Sequence, residues 1–115
     1  MLAAVLLVPL SAGEMTKLRV SVKNLEGKPI DRASVIIRFA EPPSKTRFGH
    51  KTKTSWELRT NQEGIANIPE IPQGKVQIQV IAEDYQTFGA NFQIVEPEQT
   101  IEVALKPPQP QYSAH

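Results

Sequence analysis

Alternation of apolar and polar residues, repeated in segment after segment between residues 17 and 106, constrains this chain more than any other feature. In "KLRVSVKN", Leu18, Val20 and Val22 alternate with Arg19, Ser21 and Lys23. "ASVIIRFA" puts Val35, Ile37 and Phe39 on one face, and "WELRT" does the same with Trp56 and Leu58. "IANIPEI" is a short segment of the same kind. "KVQIQVIAED" sets Val76, Ile78, Val80 and Ala82 against Lys75, Gln77, Gln79 and Ile81. "TFGANFQIV" and "TIEVALK" complete the set. A period of two is the mark of half-buried strands, and no stretch sustains a helical period.

The punctuation agrees. "NLEGKPI" supplies a turn around Gly27 and Pro29, and "TNQEG" a tighter one, in which Asn61 can bond its own backbone and Gly64 accepts a positive φ. Pro69 confines its strand to an edge or a terminus, because proline donates nothing to a ladder. "PQG" turns the chain again, and "EPEQ" separates the last two strands. Seven strands with turn signals roughly every eight to twelve residues predict an all-β, Greek-key sandwich. At 115 residues there is room for one such domain, placed at 14–106. The tail 107–115, "PPQPQYSAH", has no core pattern and should be extended, loose or laid across the surface.

The first thirteen residues, "MLAAVLLVPLSAG", are apolar and uncharged. They are too short for a bilayer span, which takes about 20 apolar residues. They match the apolar core of a secretory signal ending in small residues, although the basic start is missing. The segment 1–13 is therefore read as an export signal, with a retained apolar arm as the alternative, and the expected location is periplasmic or secreted. The absence of cysteine excludes disulfides, thiolate metal sites and thiol catalysis, and leaves the redox compartment open. Net charge is +1 but unevenly spread. From Glu14 to Trp56 there are ten Lys/Arg against four Asp/Glu, a balance of +6; from Glu57 onward three against eight, a balance of −5. Such a dipolar surface steers partners or aligns copies, unless the segregation is chance.

"VSVKNLEGKPIDRASVIIR" followed by "LRTNQEGIANIPEIPQGKVQIQVIAEDYQTF" resembles the carboxypeptidase regulatory-like domains, of the transthyretin-like (prealbumin) sandwich type. Gly27, Pro29, Ile30, Ala33 and Val35 fill the first half of that pattern. Thr60, Gly64, Ile71, Pro72, Gly74, Val80, Ala82 and Tyr85 fill the second. Three positions depart from it: Arg32 replaces a small residue, Val76 stands where an aromatic is common, and Asp84 where glycine precedes Tyr85. The resemblance covers roughly residues 17 to 106. It implies an accessory or binding module of secreted and envelope proteins of bacteria.

Catalytic chemistry finds few residues. His50 and His115 are the only histidines, and a Ser55–His50–Asp triad using Asp31 or Asp84 has no spacing that brings its members together. Two histidines without a carboxylate cluster make no metal site, and no cofactor is expected. The hydroxyisourate hydrolases share the sandwich, and resemblance to them implies a C-terminal Tyr-Arg-Gly-Ser signature. This chain ends Tyr112-Ser113-Ala114-His115 and offers no early histidine, so no enzyme is expected.

The surface feature that stands out is the loop 42–56, which carries Lys45, Arg47, Lys51 and Lys53 with no acid, beside Phe48, His50 and Trp56. Cations interleaved with aromatics suit phosphate backbones and bases, but an exported chain argues against nucleic acid. Anionic glycans, lipid headgroups or an acidic protein remain, against the plainer reading of a solvated loop guarding an edge strand. Trp56 is read as a core plug. Lys45, Arg47, Phe48, His50, Lys51, Lys53 and Tyr112 are the candidate partner contacts. The function expected is a non-catalytic envelope module binding protein or glycan through loops and sheet edges. The alternative is a structural subunit, a homo-oligomer that assembles by strand addition and terminal arms.

Overall fold

The computed structural model describes residues 15–39 and 55–109, and all seven expected strands lie within them. They are β1 (Met15–Asn24), β2 (Ser34–Phe39), β3 (Ser55–Arg59), β4 (Ile65–Pro72), β5 (Gly74–Ile81), β6 (Phe88–Ile94) and β7 (Glu98–Leu105). Two sheets form, in the orders β4-β1-β7 and β3-β2-β5-β6. The result is an all-β, seven-stranded Greek-key sandwich of the prealbumin-like type. Every strand pair is antiparallel except β1 with β7, the first and last, which run parallel.

The core is what the alternation demands. Leu18, Val20 and Val22 of β1, Ala66, Ile68 and Ile71 of β4, and Ile101, Val103 and Leu105 of β7 form one inner face. Val35 and Ile37 of β2, Val76, Ile78 and Val80 of β5, and Ile94 of β6 form the other. Register keeps like with like: Val35 lies opposite Val80, Ile37 opposite Ile78, and Val20 opposite Ile101. A one-residue slip would turn either face out to water.

Pro69 sits where the sequence places it, on an edge strand. Leu18 pairs with Ile68 but Thr16 with Ile71, so Pro69 and Glu70 together oppose Lys17. That bulge resets the phase, which lets both Ile68 and Ile71 face inward although they are three apart.

Two turns of matching sequence close the same end of the sandwich. In "NLEGK" the Asn24 Oδ1 accepts from the N–H groups of Glu26 (2.9 Å) and Lys28 (3.0 Å). In "NQEGI" the Asn61 Oδ1 accepts from Glu63 (2.9 Å) and Ile65 (3.0 Å) in the same way. Gly27 and Gly64 take positive φ, +85° and +76°. Beside them Thr60 is buried, and its Oγ1 donates to the Ile30 carbonyl at 2.7 Å and accepts from Ala33 N–H at 2.8 Å. That hydroxyl fastens the β1–β2 connection to the end of β3. Arg32 and Asp84, two of the positions that depart from the resemblance, are the non-glycine residues with positive φ among the described residues (63° and 70°).

Candidate functional site

The residues that the sequence singles out for partner contact, Lys45, Arg47, Phe48, His50, Lys51, Lys53 and Tyr112, lie outside the described residues. Their neighbours at the start of β3 are described. Ser55 is exposed, and Trp56 is half-buried with its ring edge-on to Phe39 (centroids 5.7 Å apart, planes at 71°). Ser55 pairs with Arg38, whereas Asp31 and Asp84 lie in exposed turns beyond the Ser34 end of β2. Four residues of strand separate the two ends, about 13 Å. Among the described residues no group of three or more His, Asp or Glu side chains is placed to hold a metal ion.

What the fold does build is an asymmetry between its two sides. A three-stranded sheet faces a four-stranded one, so the described residues leave one inner face not fully covered. The deficit falls on β6. Its inward positions Phe88, Ala90 and Phe92 are only half-buried, and the Phe88 and Phe92 rings stack with centroids 6.4 Å apart. Beside this aromatic shelf runs β7, which among the described residues pairs with β1 on one flank only.

The direction of the unpaired β7 groups follows from two hydrogen bonds. Lys17 N–H donates to the Pro97 carbonyl at 2.9 Å, so odd-numbered residues of β7 turn their backbone groups toward β1. Gln86 N–H donates to the Lys106 carbonyl at 2.9 Å, so even-numbered residues point away from it. Glu98, Thr100, Glu102 and Ala104 therefore present successive N–H and C=O groups along the outer flank, with no proline and no bulge between them. Their side chains are the exposed ones.

At the Leu105 end the Gln86 side chain donates to the Pro107 carbonyl at 2.8 Å, which carries residues 106 and 107 across toward the start of β6. A groove of about 210 Å³ remains between the two strands there, lined by Phe88, Gly89, Ala104 and Leu105. At the other end the Gln99 side chain ties the β6–β7 turn, accepting from Val95 N–H (3.0 Å) and donating to the Gln93 carbonyl (2.9 Å).

The opposite side of the sandwich is built differently. The Val22 N–H donates to the Gly64 carbonyl, so Ala66 and Ile68 face β1, and Ile65, Asn67 and Pro69 face outward. Pro69 has no N–H to offer, and the bulge with Glu70 bends the strand away. Next to it β3 is only five residues long. One side is a closed edge and the other an open one.

The sequence signal for this site was present but mute. Alternation shows that β6 and β7 are strands, and nothing in it shows that β7 has a single neighbour among the described residues.

No sequence profile of a known family matches the chain, and no curated protein sequence matches it. Among solved structures it is similar to 3-chlorocatechol 1,2-dioxygenase from Rhodococcus opacus 1CP, at 12% identity over 83% of this chain and 61% of that one (TM-score 0.66). It is also similar to GBS52, the minor pilin of Streptococcus agalactiae, at 17% identity over 90% and 50% (TM-score 0.64). A streptococcal ancillary pilin matches at 15% identity over 82% and 33% (TM-score 0.58). The chain spans less than two-thirds of the length of each. The likeness is one of fold, an Ig-like, transthyretin-like β-sandwich, and no function travels with it.

Proposed function

We propose that this chain is a non-catalytic accessory module of a bacterial cell surface, which recognises an extended protein segment by adding it as a strand to β7. One observation carries the reading: among the described residues, an eight-residue, proline-free strand edge lies open beside a half-buried aromatic shelf. Main-chain hydrogen bonds along such an edge supply affinity, and alternate side chains settling on the shelf supply specificity. Of the two partner classes that the sequence suggests, protein is favoured over glycan, because what the site offers is a backbone ladder. The similarity to a minor and an ancillary pilin supports a surface setting. The apolar run of residues 1–13, read as an export signal, and the resemblance to the carboxypeptidase regulatory-like domains agree with it.

The test is the native mass of the protein taken from its host's envelope, read together with amide hydrogen exchange. The module should run heavier than its 12.8 kDa chain. Thr100 and Glu102 amides should be protected in that state and exchange fast in the isolated chain. A species with the mass of a single chain and fast-exchanging amides at both positions would sink the reading.

A self-assembling structural subunit is the second reading. The same open edge favours it, since a second copy is an available source of a strand.

A further inference from the structure

Resting on the reading of β7 as a strand acceptor, we propose that its occupant is residues 45–53 of a second copy, so that copies join head to tail. The edge asks for a strand of a particular chemistry. Its outward side chains include two carboxylates four residues apart, Glu98 and Glu102. On the paired flank Glu98 already lies opposite Lys17, but Glu102 lies opposite Ser21. An added strand should therefore carry cations on its outer face, spaced by four, and an aromatic on its inner face above Phe88 and Phe92.

One segment of this chain is written that way. In "KTRFGHKTK", residues 45–53, every basic residue falls at an odd position: Lys45, Arg47, Lys51 and Lys53. In an extended strand all four share one face, and Thr46, Phe48, His50 and Thr52 share the other. Arg47 and Lys51 are four apart, like Glu102 and Glu98. An antiparallel register with Arg47 opposite Glu102 and Lys51 opposite Glu98 also sets Gly49 opposite Thr100 and turns Phe48 toward the shelf. Opposite charges directly across a strand pair stabilise it, and no other register over this edge satisfies both carboxylates with the same strand direction.

Topology then selects a second copy. The segment connects Phe39 to Ser55, and therefore hangs from β3, the strand at the far edge of its sheet from β6. The anchoring strand β3 and the acceptor β7 lie on opposite sides of one sandwich. A contact between different surfaces of identical molecules is heterologous, and it repeats from copy to copy unless its rotation closes a ring. The uneven charge has the same sense, with +6 in the part that donates and −5 in the part that accepts.

Sedimentation of the full chain across a concentration series tests this with two charge reversals. Arg47→Glu with Lys51→Glu reverses the donor, and Glu98→Arg with Glu102→Arg reverses the acceptor. Each variant alone should associate at least ten-fold more weakly than the unaltered chain. An equimolar mixture of the two should regain association, because each then offers the strand that the other accepts. If the acceptor reversal weakens association and the donor reversal does not, another strand occupies β7: this proposal falls and the acceptor reading stands. If the chain stays monomeric while the donor reversal exposes the Thr100 amide to exchange, the segment folds onto its own copy, and the head-to-tail proposal falls. If the chain stays monomeric with that amide already exposed, the head-to-tail proposal falls, while the acceptor reading is decided separately by amide exchange in the protein taken from its host's envelope.

Discussion

The two flanks of the β4-β1-β7 sheet solve the same problem in opposite ways. A strand at the margin of a sheet leaves a row of hydrogen-bonding groups without partners, a template for any other extended chain. On the β4 flank the row is cut short: Ile65 and Asn67 offer groups outward, and Pro69 and the bulge with Glu70 end the series. On the β7 flank Glu98, Thr100, Glu102 and Ala104 continue it over the whole strand. The difference teaches that an open edge is not an oversight of this fold, because the same sheet carries a closed one. Composition alone would not separate them, since each flank has glutamate and each has apolar residues facing the core.

The largest test of the contrast is a pair of adjacent prolines. Ile101→Pro removes a ladder bond to β1 and a buried side chain, and should cost about 4 kcal/mol or more, enough to leave little folded protein. Glu102→Pro removes only an outward N–H, so thermal unfolding should register a loss of roughly 1–2 kcal/mol while strand addition disappears. Equal losses of stability would mean that the assignment of β7 groups to its two flanks is wrong.

Next in size is the turn that leads into the closed flank. A Cβ at Gly64 would lie 2.4 Å from the Val22 carbonyl oxygen and 3.0 Å from Pro29 Cβ, on top of a positive φ. At Gly27 the φ is similar but no atom lies within 4 Å. Gly64→Ala should lose about 3 kcal/mol in denaturant unfolding and Gly27→Ala about 1, the conformational part alone. Similar values for the two would show that the β4 end can shift to relieve the overlap.

The aromatic shelf gives a smaller effect with more meaning for function. Phe88→Ala should cost the monomer roughly 1–2 kcal/mol, less than the 2–5 typical of a buried apolar side chain, because the side chain is only partly buried. Its effect on mass measured at high concentration should exceed its effect on stability.

Last, Pro69→Thr restores an N–H on the closed flank. Stability should move by less than about 1 kcal/mol, yet the variant should form heavier species than the parent at equal concentration, which light scattering reads directly.

Much of this fold is legible in the residues, for stated reasons. Period-two alternation gives the strands and their inner faces because each strand is buried on one side only. Asn61 and Gly64 form the turn expected of them. Pro69 lies on an edge. Arg32 and Asp84 adopt left-handed backbone where the resemblance leads one to expect small residues, and both are exposed, so the strain meets no packing. The candidate site is another matter. Alternation reports which way a side chain faces and says nothing of which strand lies beside it. The neighbour relation of β1 to β7 joins residues about 80 positions apart, and the open flank is a consequence of that relation. The residues chosen from the sequence for partner contact, from Lys45 to Lys53 and Tyr112, stand outside the described residues, so their part rests on the charge-reversal experiment.

The parallel pairing of the first strand with the last also sets the order in which the molecule can come into being. β1 is the central strand of its sheet, and the partners on its two sides are supplied by residues 65–72 and 98–105. A chain emerging from a ribosome or a translocation pore presents β1 first and must leave it without its second partner until β7 has followed. Contacts this distant in sequence slow folding, since the intervening chain has to be gathered before they form. Until then the middle strand is held incomplete, and the sandwich closes only once the far end has arrived.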